Sequence, residues 1–240
     1  KLIVPFPPGG GNDVIGRVIA QKLSDRWGQT VVVDNRAGAN GIVGLQALTQ
    51  SAPDGYTLAV GAAGPLAVNP SLYARLPYDP TKDFAPITNL VNFPLLLVTH
   101  PSVPVKNVRE LVALAKAKPD LLSYASPGSG NSGHLAGELF NAMAGVQTVH
   151  IPYKGQGPAL TDLLSGQVSM LYSSIPSVIQ QVKSGQLRAL AVGSAKRLPS
   201  LPDIPTLAES GVPGYEAYSW VGLVAPAHTP ADIVKKINRD

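Results

Sequence analysis

KLIVPFPPGGGNDVIGR, residues Lys1–Arg17, runs from a short apolar segment, Leu2–Val4, through prolines and three consecutive glycines into a pattern of helical period. That pattern begins at Asn12 or Asp13 and continues through Val14, Ile15, Val18, Ile19 and Leu23. The order is strand, glycine loop, helix. Gly9, Gly10 and Gly11 have no Cβ to block close approach, and Asn12 is a preferred N-cap residue, so the loop can aim backbone N–H groups at a negative group. A helix N-terminus carries roughly half an elementary charge, which makes a phosphate or a carboxylate the default guest.

The unit repeats. The first helix is expected to stop at Trp27, with Gly28 after it, and Thr30–Asp34 reads as a buried strand. A loop, NRAGANG, leads to a helix over Ile42–Ser51, a turn at Pro53-Asp54-Gly55, a strand to Gly61 and a helix over Pro65–Ala74. Alternating strands and helices with short connections predict a doubly wound, mainly parallel sheet. A second cycle starts at the apolar run Leu95–Thr99. It continues through a helix over Val108–Lys118, a strand at Ser123–Ala125, the loop SPGSGNSG and a helix over His134–Ala144 whose apolar face is Leu135, Leu139 and Met143. VHIPY, a helix over Pro158–Ser165, VSMLY, a helix over Ser177–Ser184 and ALAVG complete it. After a proline-rich connection, Tyr218–Val224 is another apolar run. Thr229-Pro230-Ala231-Asp232 reads as an N-cap, a Pro at N1 and a capping-box acid. Two domains are predicted, residues 1–98 with 221–240, and residues 99–220.

Composition narrows the function. In 240 residues, 45% hydrophobic content supports real cores, while 14% charged residues and 23 prolines indicate shaped loops rather than disorder. The net charge of +4 is scattered, so no nucleic-acid stripe is present, though it suits an anionic small ligand. With no cysteine, thiolate and disulfide chemistry are excluded. The four histidines lack metal-ligand spacing, and neither a metal nor another cofactor is expected. No apolar run is long enough to span a membrane, and the opening strand carries no leader pattern, so an export signal is expected to have been removed. The last helical pattern breaks off early, so further sequence is expected beyond Asp240.

Gly9, Gly11 and Asp34 imitate a dinucleotide fingerprint, but Val14 stands where its third glycine belongs. Ser132 lacks the glycine pair of a nucleophile elbow, and His134 reads as a cap or supporting donor rather than a general base. Asp13 and Arg17 are spaced as a helix ion pair, with Asp13 placed to orient the loop. Arg36 can brace its loop or meet an anion. What remains is three loops, Pro8–Asp13, Gly61–Pro65 and Ser126–Gly133, each after a strand and before a helix, with no nucleophile, base or metal cluster beside them. Donors without reactive groups describe a binding protein and no catalytic residue.

Several blocks resemble the periplasmic receptors of tripartite tricarboxylate transporters, the Bug receptors. PFPPGGGNDVIGR, VVVDNRAGANGIVG, VNPSLYARLPYDPTKDFAPIT, VHIPYKGQGPALTDLLSGQV and LRALAVGSAKR occur in the family's order across the chain. The resemblance implies a two-lobed α/β fold of periplasmic-binding-protein type II, each lobe a mainly parallel sheet flanked by helices, closing like a hinge. It implies a monomeric receptor that carries a small carboxylate, a dicarboxylate or an aromatic acid, to membrane permease subunits. By position the ligand meets Phe6, Pro8, Gly9, Gly10, Gly11, Asn12 and Asp13 in the first loop, then Ala62, Ala63, Gly64 and Ala67. In the second lobe it meets Ser126, Gly128, Ser129, Gly130, Asn131 and Ser132, with Ser173 and Ser174 where relatives often place an acid for an amino group. The competing readings are a nicotinamide-dependent oxidoreductase and a ligand-sensing domain that signals to a partner.

Overall fold

The computed structural model describes all 240 residues, Lys1–Asp240, and the chain divides into two compact units. Unit 1 is Lys1–Asn92 with Trp220–Asp240, and unit 2 is Phe93–Ser219. The divisions fall at Asn92–Phe93 and Ser219–Trp220, where the sequence placed them at Val98 and at Trp220–Val221.

In unit 1, β1 (Leu2–Val4) lies between β2 (Val33–Asn35) and β3 (Leu58–Ala62), parallel to both. On the far side of β3 runs β9 (Tyr218–Pro226), antiparallel, with Ala59 opposite Val224. Helix α1 (Gly11–Trp27) approaches the sheet through its small residues: a Cβ on Gly16 would stand 2.9 Å from Val4 Cγ2. Gly16 thus supplies, two residues further on, the close helix-to-strand contact that Val14 does not allow. Helix α2 (Ile42–Thr49) packs Leu45 and Leu48 with Ile3, Ala59, Tyr78 and Phe84.

In unit 2, β5 (Ser123–Ser126) lies between β6 (Val149–Pro152) and β7 (Met170–Ser174), parallel to both. β4 (Phe84–Thr99) begins in unit 1, and its unit 2 end, Leu95–Thr99, is antiparallel to β7 and to β8 (Arg188–Val192). Period-2 alternation gives β4 two buried faces. Leu95 and Leu97 join α4 (Val108–Ala117) and α5 (Ser132–Ala144), whereas Leu96 and Val98 join α6 (Gln156–Leu164) and α7 (Ile175–Lys183).

Four expectations are corrected. The strand over 84–94 was missed, because Pro86, Thr88, Asn89 and Asn92 interrupt its apolar pattern. The helix expected over Pro65–Ala74 is a π-helical segment, Gly64–Val68, followed by one turn, α3 (Asn69–Leu72). Leu135, Leu139 and Met143 are exposed, as are Val14 and Val18, because α5 and α1 turn Gly133, Ala136, Gly137 and Gly16, Ala20 toward their sheets. Thr229 is no cap: its hydroxyl donates to the Pro226 carbonyl, and Pro230 precedes α8 (Ala231–Arg239).

Candidate functional site

Parallel strands end at a common edge, so the loops after β1, β2 and β3 leave unit 1 together. Gly9 turns the first of them with φ +87°, a conformation an L side chain would resist. Its N–H donates to Asp13 Oδ2 at 3.0 Å, Arg17 Nε donates to the same oxygen at 2.9 Å, and Asn35 Nδ2 donates to Oδ1 at 2.8 Å. Asn35 Nδ2 also reaches the Phe6 carbonyl at 3.0 Å, which ties the loop after β2 to the loop after β1. Asp13 is only 3% exposed, so its charge depends on these partners. Burial pushes its carboxyl up, but the hydrogen bonds from Arg17, Gly9 and Asn35 outweigh it and hold the group below the usual carboxylate range.

Asn12 does not cap α1. Gly10 occupies the N-cap position with extended φ/ψ and has no side chain to offer, so Gly11 and Asn12 present first-turn N–H groups that have no carbonyl partner inside the helix. Pro8 and Gly9 are exposed, Gly10 is buried, and Phe6, Gly11 and Asn12 are half-buried. Arg36 is committed to Asp34 at 2.9 Å, and Asp34 also meets Lys1 Nζ at 2.7 Å, so bracing accounts for both.

After β3, Ala62 and Gly64 are buried, Ala63 is half-buried and Ala67 is exposed. The wide turn of the π segment frees the Pro65 carbonyl, which accepts the Tyr78 O–H at 2.7 Å; burial raises that phenol to about 12. Asn69, fully buried, exchanges bonds with Asn40: Asn40 Nδ2 donates to its Oδ1 at 2.9 Å, and its Nδ2 donates to the Asn40 carbonyl at 3.2 Å. A Cβ on Gly64 would lie 2.8 Å from that same Asn40 amide. The loop after β2 and the segment after β3 therefore hold each other in place.

In unit 2 the loops after β6, β5 and β7 share an edge for the same reason, and each feeds a helix: α6, α5 and α7. The loop after β5 satisfies its glycine donors internally. Gly128 N–H donates to Ser126 Oγ at 3.2 Å, Gly130 N–H to His134 Nδ1 at 3.1 Å, and Gly133 N–H to Asn131 Oδ1, the cap of α5, at 2.9 Å. Asn131 N–H bonds the Gly128 carbonyl at 3.1 Å. Ser129 is exposed and Ser132 half-buried, and their N–H and hydroxyl groups are not used in these internal bonds. Ser173 is 1% exposed; it donates to the Ser174 carbonyl at 3.1 Å and accepts from Gln156 Nε2 at 2.8 Å, while Ser174 Oγ lies 2.7 Å from Ser177 Oγ.

Two participants were not found in the sequence. Gln156 opens α6 and fixes Ser173; the KGQGP run after a strand was its only signal. His150 lies 2.6 Å from Ser126 Oγ, and nothing local in VHIPY marks it. This serine–histidine contact is no exposed nucleophile, since Ser126 is fully buried. Of the two roles expected for His134, a cap or a supporting donor, the contact with Gly130 is the cap-like one, its Nδ1 accepting a backbone N–H.

The chain matches the model of the tripartite tricarboxylate transporter family receptor over residues 15–240. It is 43% identical to protein BugT of Bordetella pertussis over 240 residues, spanning all of this chain and 74% of BugT. Rpa4515 of R. palustris, solved with adipate, is 41% identical, with a TM-score of 0.97 over 99% of this chain and 80% of that one. MatC of Rhodopseudomonas palustris, solved with bound malate, is 34% identical, with a TM-score of 0.92 over 99% of this chain and 81% of that one. The nicotinamide-enzyme reading falls here: with a periplasmic-binding-protein fold and relatives that bind solutes rather than transform them, the chain belongs to the tripartite tricarboxylate transporter receptor family.

Proposed function

We propose that this chain captures a small dicarboxylate, aliphatic or aromatic, in the periplasm and, as a monomer, delivers it to the permease subunits of a tripartite tricarboxylate transporter. One observation carries the reading. Each unit gathers, at one edge of its own sheet, strand-end loops that open helix N-termini, and no arginine or lysine lies within residues 6–13, 62–67 or 126–132. Backbone N–H groups, hydroxyls and water are then the means of holding an anion. Each of these sets, taken by itself, suits a carboxylate. Ser173 and Ser174 bring no charge for an ammonium, so plain diacids should exceed amino acids. Adipate and malate in the relatives Rpa4515 and MatC support the diacid class.

Calorimetry on a diacid, its half-amide and the matching amino diacid tests the reading. Loss of one charge-assisted set, at about 1.5–3 kcal/mol for a bond, should weaken the half-amide roughly ten- to a hundred-fold. Equal affinity for diacid and half-amide would refute the preference for diacids.

A further inference from the structure

Three rings stack behind the loop after β5. Tyr124 on β5 lies on His150 of β6 with centroids 4.9 Å apart, and His150 lies on His134 of α5 at 4.1 Å. Both imidazoles end on the loop, His134 Nδ1 at Gly130 N–H and His150 Nε2 at Ser126 Oγ. The other titratable groups facing the pair are Glu138 of α5, whose carboxylate accepts the Tyr124 O–H, and Tyr124 itself; Tyr172 of β7 meets the edge of the Tyr124 ring. An N–H can donate to Nδ1 only while that nitrogen carries no proton, and an imidazolium has none free.

We propose that His134, braced by His150, is a positioning residue for the anion-binding loop of unit 2: it draws the Gly130 N–H inward and so leaves the Ser129 and Ser132 donors to the ligand. The proposal rests on the reading of that loop as part of the ligand site. It makes the loop sensitive to protons. Burial, then the neighbouring His134, pushes His150 down to about 4 against the pull of Glu138, and burial lowers His134 against the same pull. Because Nδ1 is the acceptor of the Gly130 N–H, a proton gained by His134 lands on that nitrogen. Glu138 offsets the added charge, so the main consequence is local: Nδ1 becomes a donor facing a donor, and the loop loses its staple.

The test has two arms. Without ligand, hydrogen exchange at the Gly130 amide and imidazole nitrogen shifts are followed by NMR from pH 7.5 downward until the His134 ring has titrated. Gly130 should be protected at pH 7.5 and lose protection with the His134 midpoint. His134→Leu should leave it unprotected throughout. His134→Asn, whose Oδ1 stands where Nδ1 stood, should restore protection and remove the inflection. With adipate as probe, wild-type affinity should fall about five- to tenfold over the same midpoint, and that pH dependence should be absent in His134→Asn. Thermal midpoints check that each variant folds. Gly130 protection that is unchanged in His134→Leu, or that shows no inflection with His134, overturns the positioning role. If the amide arm behaves as expected while adipate affinity at pH 7.5 is equal in wild type and His134→Leu, the loop is not part of the ligand site, and the reading in Proposed function fails instead.

Discussion

Replacing Gly137 by Ala should destabilise the protein although it improves the intrinsic helix propensity of α5. A Cβ there would lie 2.3, 2.5 and 2.8 Å from three carbons of the Tyr124 ring. Ordinary contact between carbons begins near 3.5 Å, so ring and helix must part by more than ~1 Å. The ring has little freedom to yield. It is fully buried, stacked on His150, met edge-on by Tyr172 and tied through its hydroxyl to Glu138. Overpacking of this severity costs about 3 kcal/mol, and the propensity gain of Ala over Gly returns about 1, leaving a net loss of about 2 kcal/mol. In a chain of this size that is a fall of roughly 4–8 °C in Tm. Gly157 is the matched control: it lies in α6, no atom stands within 4 Å of its would-be Cβ, and Ala there should be neutral or raise Tm by up to about 4 °C. Differential scanning calorimetry on the two variants decides the matter. A Gly137→Ala protein as stable as Gly157→Ala would show that α5 does not rest on Tyr124 as described.

Asp13→Asn should cost about 2 kcal/mol in urea denaturation at pH 7, discounted from its three bonds because the Arg17 side chain is 53% exposed. Since the folded carboxyl titrates below its unfolded value of about 3.9, its contribution is present above about pH 4 and is lost as pH falls through the folded value; the gap between wild type and variant should close there, and a gap independent of pH would deny the carboxylate its charged role. Gly10→Val should abolish binding of the diacid while leaving α1 folded, because a branched side chain at the cap crowds the approach to the Gly11 and Asn12 N–H groups; binding as in wild type would remove the first loop from the site.

Periodicity and punctuation made most of the fold legible. The unbroken apolar run Leu95–Thr99 announced the start of a second cycle, where the structure has the doubly buried end of β4, and the three glycines before Asn12 announced a loop feeding a helix. Side-chain direction was the weaker signal. In α1 and α5 Val14, Val18, Leu135, Leu139 and Met143 lie on the outer side although Leu23 and Phe140 are buried, because where a helix comes close to its sheet the inner side requires the absence of side chain, and glycine and alanine carry little weight in a hydrophobic pattern. The antiparallel β4 and β9 were hidden for a related reason: strand direction depends on which crossover precedes it, and neither follows a helix that returns to the same sheet edge. In the candidate site, Asp13 could be foreseen because its partner Gly9 is four residues away. His150 could not, since Ser126 and His134 reach it only through the pairing of β5 with β6.

The ring stack gives the molecule a reporter of its own. His150 sits with one face toward Tyr124 and the other toward His134, so its carbon-bound protons lie in the shielding cones of two aromatic systems. Those resonances should appear upfield of the three other histidines in an ordinary proton spectrum, with no isotope label and no added dye. Any event that slides α5 along β5 and β6, whether a ligand seated on the loop or a mutation beneath the helix, should register as a change in that single pair of lines.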